Sequence, residues 1–405
     1  MAVAVAVSVS DAPAVSVAKS LKLSSAEQSW PLRKSPARFY RPELDLLRLV
    51  AFLMVWVSHA LLSFHAVLPR KLLGIAEGAG SCGVPIFFFL SAFLITELLR
   101  RERLATGTLH LRRFYMRRIL RIWPLYLGVL ALYGLLGLCF HGFRIEPGRL
   151  LASCLLAGNW YIVLHPTITT PMRALWSVSV EEQWYLAFPI VRRALSSGQL
   201  LLGCFIIVGA AQLLLAWLAR HADPGMLHIT AWTNSGVQFQ YFALGTSAAL
   251  LLDGRIPRLS RHIRLLLIVG GAVALLASSG FCHIKQPAVG HSAISLIAGY
   301  LLAGAGATAF FFALLGISEV RCPRFLVRLG QLSFGLYVFH ETGFFLANAL
   351  TRHEGLQPTL LTLSLEKTLA LALTVAIAFA SYHAWELPFL RLKQRWTIVR
   401  TREAQ

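Results

Sequence analysis

Long apolar runs, broken by short clusters of arginine and lysine, set the pattern of this chain from about Leu46 onward. A helix needs roughly 20 apolar residues to cross the hydrocarbon core of a bilayer. By that measure the first run covers about Leu46–Val67 and the second about Gly83–Leu99. Further runs cover about Ile122–Phe140, Leu175–Val191, Leu200–Leu218, Val237–Leu252, Leu265–Phe281, Ala293–Ile317, Leu329–Leu350 and Leu360–Leu387. The pattern predicts an all-α fold, a polytopic membrane helix bundle of about ten transmembrane helices. A shorter stretch, Leu150 to Leu164, is interrupted by Gly158, Asn159 and Trp160 and reads as an outer or re-entrant segment.

The basic clusters orient this bundle, because cytoplasmic connections carry an excess of Lys and Arg. Arg100, Arg101, Arg103, Arg112, Arg113, Arg117, Arg118 and Arg121 lie between the second and third runs. Arg255, Arg258, Arg261 and Arg264 form another cluster, followed by Arg321, Arg324 and Arg328. Arg33, Lys34, Arg38, Arg41 and Arg48 precede the first run, and Arg391, Lys393, Arg395, Arg400 and Arg402 follow the last. Ten spans place every one of these on one side, with both termini cytoplasmic in an inner (cell) membrane. Residues 1–20 alternate Ala, Val and Ser and lack the basic start and Leu-rich core of a signal peptide. Residues 1–40 read as a disordered basic tail, residues 41–390 as the membrane domain, and 391–405 as a basic cytoplasmic tail.

Composition agrees with the pattern. Of 405 residues, 57% are hydrophobic and 14% charged, and mean hydropathy is +0.64. Soluble domains carry roughly a quarter charged residues. A net charge of +20 on a soluble domain would suggest nucleic acid. Here the charge is dispersed between spans, so nucleic acid is excluded and anionic membrane lipid is the expected partner. The six cysteines form neither a CxxC nor a zinc-like pair, so the sequence predicts no metal centre and no disulfide framework.

Ionisable residues inside a span are costly and therefore mark sites. In the first run, Arg48 lies at the cytoplasmic edge and His59 eleven residues later, on the same helical face and about 16 Å further along. That separation resembles the length of a pantetheine arm. An arginine suits the phosphates of an acyl-CoA donor, and a histidine suits general-base chemistry at its thioester. Arg118 and Arg121, three residues apart, could clamp a pyrophosphate. Glu181 and Glu182 enter the span from the outer side, and neighbours on a helix point about 100° apart, so only one of them can act on a given point. A carboxylate there could orient His59 or bind a sugar hydroxyl. Trp176 and His340 complete the acceptor-side candidates from the residues themselves, and Glu386 reads as a structural ion-pair member.

These blocks together resemble the acyltransferase family 3 membrane proteins. The matching stretches are Arg41 to Ala60, Phe87 to Thr96, Phe114 to Tyr126, Leu175 to Pro189, Leu332 to His340, and Glu386 with Pro388. They occur in that family's order along almost the whole chain. The resemblance implies O-acyl transfer, often of acetyl, to surface polysaccharides or small molecules. It places the family's arginine–histidine pair on Arg48 and His59, its donor-handling arginines on Arg118 and Arg121, and its outer acidic segment on Ser179 to Gln183. Leu46 and Ala92 stand where that family has glycine.

The resulting expectation assigns His59 and Glu182 to catalysis, and Arg48, Arg118 and Arg121 to acyl-CoA (acetyl-CoA) as donor substrate, with no permanently bound cofactor. Trp176, Ser179, Glu181 and His340 are assigned to a carbohydrate or lipid-linked glycan acceptor. His59 would either deprotonate the acceptor or carry the acyl group itself. No soluble hydrolase-like domain follows residue 405, so delivery would be direct or through a partner acyl-transfer protein. The rival is a transporter or flippase without chemistry, but the paired broken helices of two matching halves are not found.

Overall fold

The computed structural model describes residues 39–140, 144–166, 172–285, 292–317, 322–351 and 358–399. The tail at 1–38, His141, Arg321, Arg400 and Arg402 lie outside them. Among the described residues there are helices and connections but no strands. The helices are α1 (Pro42–Leu61), α2 (Arg70–Ser81), α3 (Gly83–Thr106), α4 (Leu111–Cys139), α5 (Pro147–Cys154), α6 (Gly158–Leu164), α7 (Trp176–Ala194) and α8 (Ser197–His221). They continue with α9 (Leu227–Thr233), α10 (Ser235–Leu252), α11 (Arg261–Gly280), α12 (Ala293–Leu314), α13 (Arg324–Gln331), α14 (Ser333–Thr351), α15 (Leu360–Ser381) and α16 (Leu387–Lys393).

Among the described residues, seven stretches are long and apolar enough to cross a membrane: Pro42–Ala66, Arg70–Thr106, Leu111–Cys139, Ser197–His221, Arg261–Gly280, Ala293–Leu314 and Leu360–Trp396. The remaining expected spans fall on α7, α10 and α14, of 19, 18 and 19 residues. These three carry polar side chains buried against other helices, including Glu182, Gln238, Gln240 and His340, which lowers their apolar character. The Leu150–Leu164 stretch is not one helix. It breaks into α5 and α6 around Leu156, whose φ of 59° lies in the left-handed region that ends helices. The sequence pattern missed α2, because its Gly-rich second half breaks an apolar period.

Packing sorts the helices by depth. α3 is the most enclosed, with 78% of its apolar window buried, against 22% for α8 and for α11. α8 exposes Leu202, Phe205, Ile206 and Leu213, and α11 exposes Leu265, Leu266 and Val273. Such apolar faces are solvated by lipid rather than water. α1 and α3 cross closely because Gly83 lies against the Ala51 carbonyl, where an added Cβ would stand 2.2 Å from that oxygen. Gly245 of α10 meets the Phe89 carbonyl of α3 in the same way, at 2.0 Å. Close backbone approach at small residues is how membrane helices pack without a hydrophobic drive between them. Ala92 is fully buried at this core, and α1 runs without a break through Leu46.

α15 does not end at its last regular turn. A π-helical turn at Tyr382–Glu386 carries it into α16, where Pro388 follows. The wide turn aims Glu386 at the interior, and π turns recur where a helix must redirect a functional side chain.

Candidate active site

A cavity and a tightly packed histidine pair, the inner and outer compartments, lie beside α1. The inner one is a cavity bounded by α1, α3, α4, α7, α14 and the turn leading into α16. Arg48, Arg118 and Arg121 all line it, as do Arg41, Arg117 and Lys393. The arginines are held in different ways. Arg48 Nη1 donates to Asp45 Oδ1 at 2.7 Å. Arg117 donates to Glu102 at 2.7 Å and to the Trp396 carbonyl at 3.0 Å. Arg118 instead stands over the rings of Tyr185 (5.1 Å) and Phe114 (5.6 Å), which fix its plane without consuming its donors. Glu386 also lines the cavity and feels the charge of Arg121. It belongs to the cavity wall as well as to an electrostatic pair.

Further in, Glu181 forms the cavity wall and accepts from Ser91 Oγ at 2.5 Å and from the Tyr185 hydroxyl. The cavity ends at Ser177 and Tyr337. Their hydroxyls are 2.7 Å apart, and each lies 3.1 Å from the Ala174 carbonyl, closing a triangle of hydrogen-bonding groups.

The outer compartment begins behind Tyr337. His59 Nδ1 lies 2.8 Å from His340 Nε2, and His340 Nδ1 lies 2.6 Å from the Tyr337 carbonyl. The two imidazoles stack at 5.0 Å. A carbonyl can only accept, so His340 Nδ1 carries a proton. With both rings neutral, His340 Nε2 is then the acceptor and His59 Nδ1 the donor. The proton on His59 is thereby confined to Nδ1, and Nε2 presents a lone pair. An anchored partner selects the tautomer of a reactive histidine in the same way in hydrolytic triads.

His59, His340 and Glu341 also bring one potential ligand atom each within 4.8 Å of one another. Glu341 is engaged by Arg173 at 3.8 Å, and the Arg173 and Lys285 charges reach His59. Two cations beside the imidazoles oppose a divalent ion, so this donor set fits a proton relay better than a metal.

The remaining expectations separate. Glu182 lies neither on the cavity nor against His59. Its Oε2 accepts from Trp123 Nε1 at 2.8 Å, and the carboxylate is buried against α4. The physical reason is the turn between neighbours: Glu181 takes the cavity face of α7 and Glu182 the α4 face. Ser179 is fully buried beside Gly158 and does not line the inner cavity. Trp176 is buried against Phe88 and Trp232 rather than exposed at an interface. His340, expected as an acceptor contact, supports His59. Sequence reasoning missed Tyr337, Ser177, Arg173 and Lys285. The last two had a signal, since they are lone cations in stretches placed on the outer, cation-poor side.

Residues 41–383 match the acyltransferase domain family, and the chain belongs to it. It is a membrane protein. It is 25% identical over 327 residues to the peptidoglycan O-acetyltransferase OatA of Listeria monocytogenes, covering 75% of this chain and 49% of that protein. It is 29% identical over 168 residues to the O-acetyltransferase OatA of Staphylococcus aureus, covering 40% of this chain and 26% of that protein. The chain thus spans about half or less of the length of these relatives. No solved structure matches it.

Proposed function

We propose that this acyltransferase-family protein moves an acetyl group from acetyl-CoA, bound in the inner cavity, to a carbohydrate hydroxyl presented at the outer compartment. The observation that carries this is the ring-to-ring contact of His59 with His340. With His340 anchored on the Tyr337 carbonyl, this contact leaves a lone pair on His59 Nε2, and α1, which carries His59, also lines the arginine-rich cavity through Arg48. Acetyl and glycan are supported by what the names of the Listeria and Staphylococcus relatives say of those proteins.

In this reading Arg118 and Arg121 hold the donor phosphates by charge-assisted bonds, with Arg48 oriented by Asp45 beside them. The pantetheine arm runs outward along α1. Reaching His59 requires parting the Tyr337–Ser177 contact, a loss of about 1–3 kcal/mol if both hydroxyl bonds break. His59 Nε2 takes the proton of the acceptor hydroxyl as its oxygen attacks the thioester carbon. His340 keeps the imidazole in register while that proton is held. The acceptor leaves as an ester, and the thiolate regains the proton from His59. The ten-span topology, with both termini at the donor side of an inner membrane, belongs to the same proposal. A partner acyl-transfer protein could relay the acetyl group to more distant acceptors.

The test is turnover of radiolabelled acetyl-CoA by purified protein in nanodiscs. The wild type should consume the thioester and His59→Ala should not. Equal turnover in a well-folded His59→Ala preparation rules out the assignment.

A further inference from the structure

Among the described residues, four carboxylates line the inner cavity: Asp45, Glu102, Glu181 and Glu386. Three of them face cations. Asp45 holds Arg48 and Glu102 holds Arg117, each at 2.7 Å, and Glu386 feels the charge of Arg121. Glu181 differs, since among the described residues no Lys or Arg pairs with it. Both of its hydrogen bonds end on one oxygen. Oε1 accepts from Ser91 Oγ of α3 at 2.5 Å and from the Tyr185 hydroxyl one turn along α7. A carboxylate oxygen offers about two lone-pair positions, so Oε1 is filled. Oε2 takes no hydrogen bond among the described residues, and the half-buried side chain lines the cavity. Two donors on Oε1 also anchor the carboxylate that carries this open oxygen.

The ladder of residues on α7 gives its depth. Ser177, Glu181 and Tyr185 are four residues apart, share one helical face and all line the cavity. Each step is about 6 Å. Ser177 marks the closed end, where it meets Tyr337. Tyr185 marks the level of Arg118, whose guanidinium stands 5.1 Å from its ring centroid. Glu181 therefore lies about one turn deeper than the Arg118 level and one turn short of the closed end. On α3, Phe87 and Leu94 line the cavity about a turn to either side of Ser91, so apolar wall flanks this polar level.

An open carboxylate oxygen at that depth calls for a neutral donor on a ligand that runs from the arginines toward Ser177. A phosphate is repelled there, and a plain hydrocarbon chain leaves the oxygen empty. A pantetheine arm carries an amide N–H past its phosphates, with methyl and methylene groups on either side that suit Phe87 and Leu94.

We propose that Glu181 is a donor-binding residue, whose Oε2 accepts the amide N–H of the pantetheine arm nearer the phosphates. The proposal rests on the acetyl-CoA reading of the inner cavity. Ser91 and Tyr185 hold the carboxylate, and the Tyr185 ring ties it to Arg118, so phosphate and amide are met by one connected unit. The contact sets the depth of the arm and directs its thioester toward Tyr337 and Ser177. It also selects among donors, because acetyl phosphate has no amide to offer.

The experiment measures equilibrium binding to the full chain in nanodiscs. The probes are CoA, 3′-phospho-ADP, which lacks the arm, and a CoA analogue with an ester oxygen in place of that N–H. The wild type should bind the ester analogue at least about tenfold more weakly than CoA, as expected for loss of a hydrogen bond to a charged group. Glu181→Leu should weaken CoA by at least about tenfold, hold 3′-phospho-ADP within about threefold, and no longer distinguish CoA from the ester analogue. A merely structural role disturbs Tyr185 and Arg118 and weakens CoA and 3′-phospho-ADP alike, and that pattern overturns the proposal. So does a Glu181→Leu protein that binds CoA within about threefold of wild type. A wild type that binds CoA and the ester analogue equally also overturns it, and this comparison stands even if Glu181→Leu folds poorly. In these cases CoA still binds the wild type, so only the Glu181 role fails. If the wild type binds neither CoA nor 3′-phospho-ADP, the acetyl-CoA reading itself fails, and this proposal with it.

Discussion

The two compartments along α1 are built on opposite principles. The inner cavity is roomy and open, and its cations are spread over α1, α4 and the α16 segment. Several of them already have protein partners, such as Asp45 for Arg48 and Glu102 for Arg117. The outer compartment is tight. Its histidines are locked to each other and to the Tyr337 carbonyl. The difference separates holding from reacting. A long, flexible, polyanionic donor is best met by many adjustable cations, whereas proton transfer needs one imidazole with its tautomer fixed. The Tyr337–Ser177–Ala174 contact lies between the two, so in the proposed reading neither compartment alone completes a transfer.

If that division holds, substitutions in the two regions should fail in different kinetic terms. The largest effect is expected at His59. Replacement by Ala should lower kcat by about 10³-fold, in the range found for loss of a general base, while equilibrium binding of the donor stays within about threefold. Next is His340. Replacement by Phe removes the acceptor for His59 Nδ1 and should lower kcat by roughly 10- to 100-fold, as loss of an orienting partner does elsewhere. Replacement by Gln, which can donate to the Tyr337 carbonyl and accept from His59, should recover most of it. A pure packing role would instead favour Phe.

The inner cavity should respond in KM. Alanine at both Arg118 and Arg121 removes donors to phosphate that contribute about 1.5–3 kcal/mol each. The donor KM should rise by at least about tenfold, with kcat near wild type at saturation. A fall in kcat alone would blur the boundary between the compartments. The smallest effect is expected at Glu182. Glu182→Gln can still accept from Trp123 and should cost about 1 kcal/mol or less of stability, measured by thermal unfolding in detergent. Its kcat should stay within about threefold. A large loss there would bring Glu182 back into the chemistry.

How much of this was legible in the sequence follows from the same contrast. The arginine-rich side was readable because charge in a membrane protein is sparse and its sidedness is strict, so Arg118 and Arg121 stood out and do line one cavity. The helix period put Arg48 and His59 on one face, and α1 runs uninterrupted between them. Partners brought in from distant elements were not readable. The contact between His59 and His340 joins positions 281 residues apart, and the Lys285 charge that acts on His59 comes from a connection after α11. The two glutamates show the limit in miniature: the sequence establishes that they diverge, but only packing against α4 decides that Glu181 faces the cavity and Glu182 faces Trp123.

The central claim is that donor and acceptor meet across the Tyr337–Ser177 contact, with His59 as the transferring base. Proteoliposomes with uniformly oriented protein test it most directly, with acetyl-CoA supplied only on the Arg118 side and a β-1,4-linked N-acetylglucosamine oligosaccharide only on the Lys285 side. The account predicts acetylated sugar on the Lys285 side, lost in His59→Ala. Product formed only when both substrates share one side, or formed equally by His59→Ala, would contradict it.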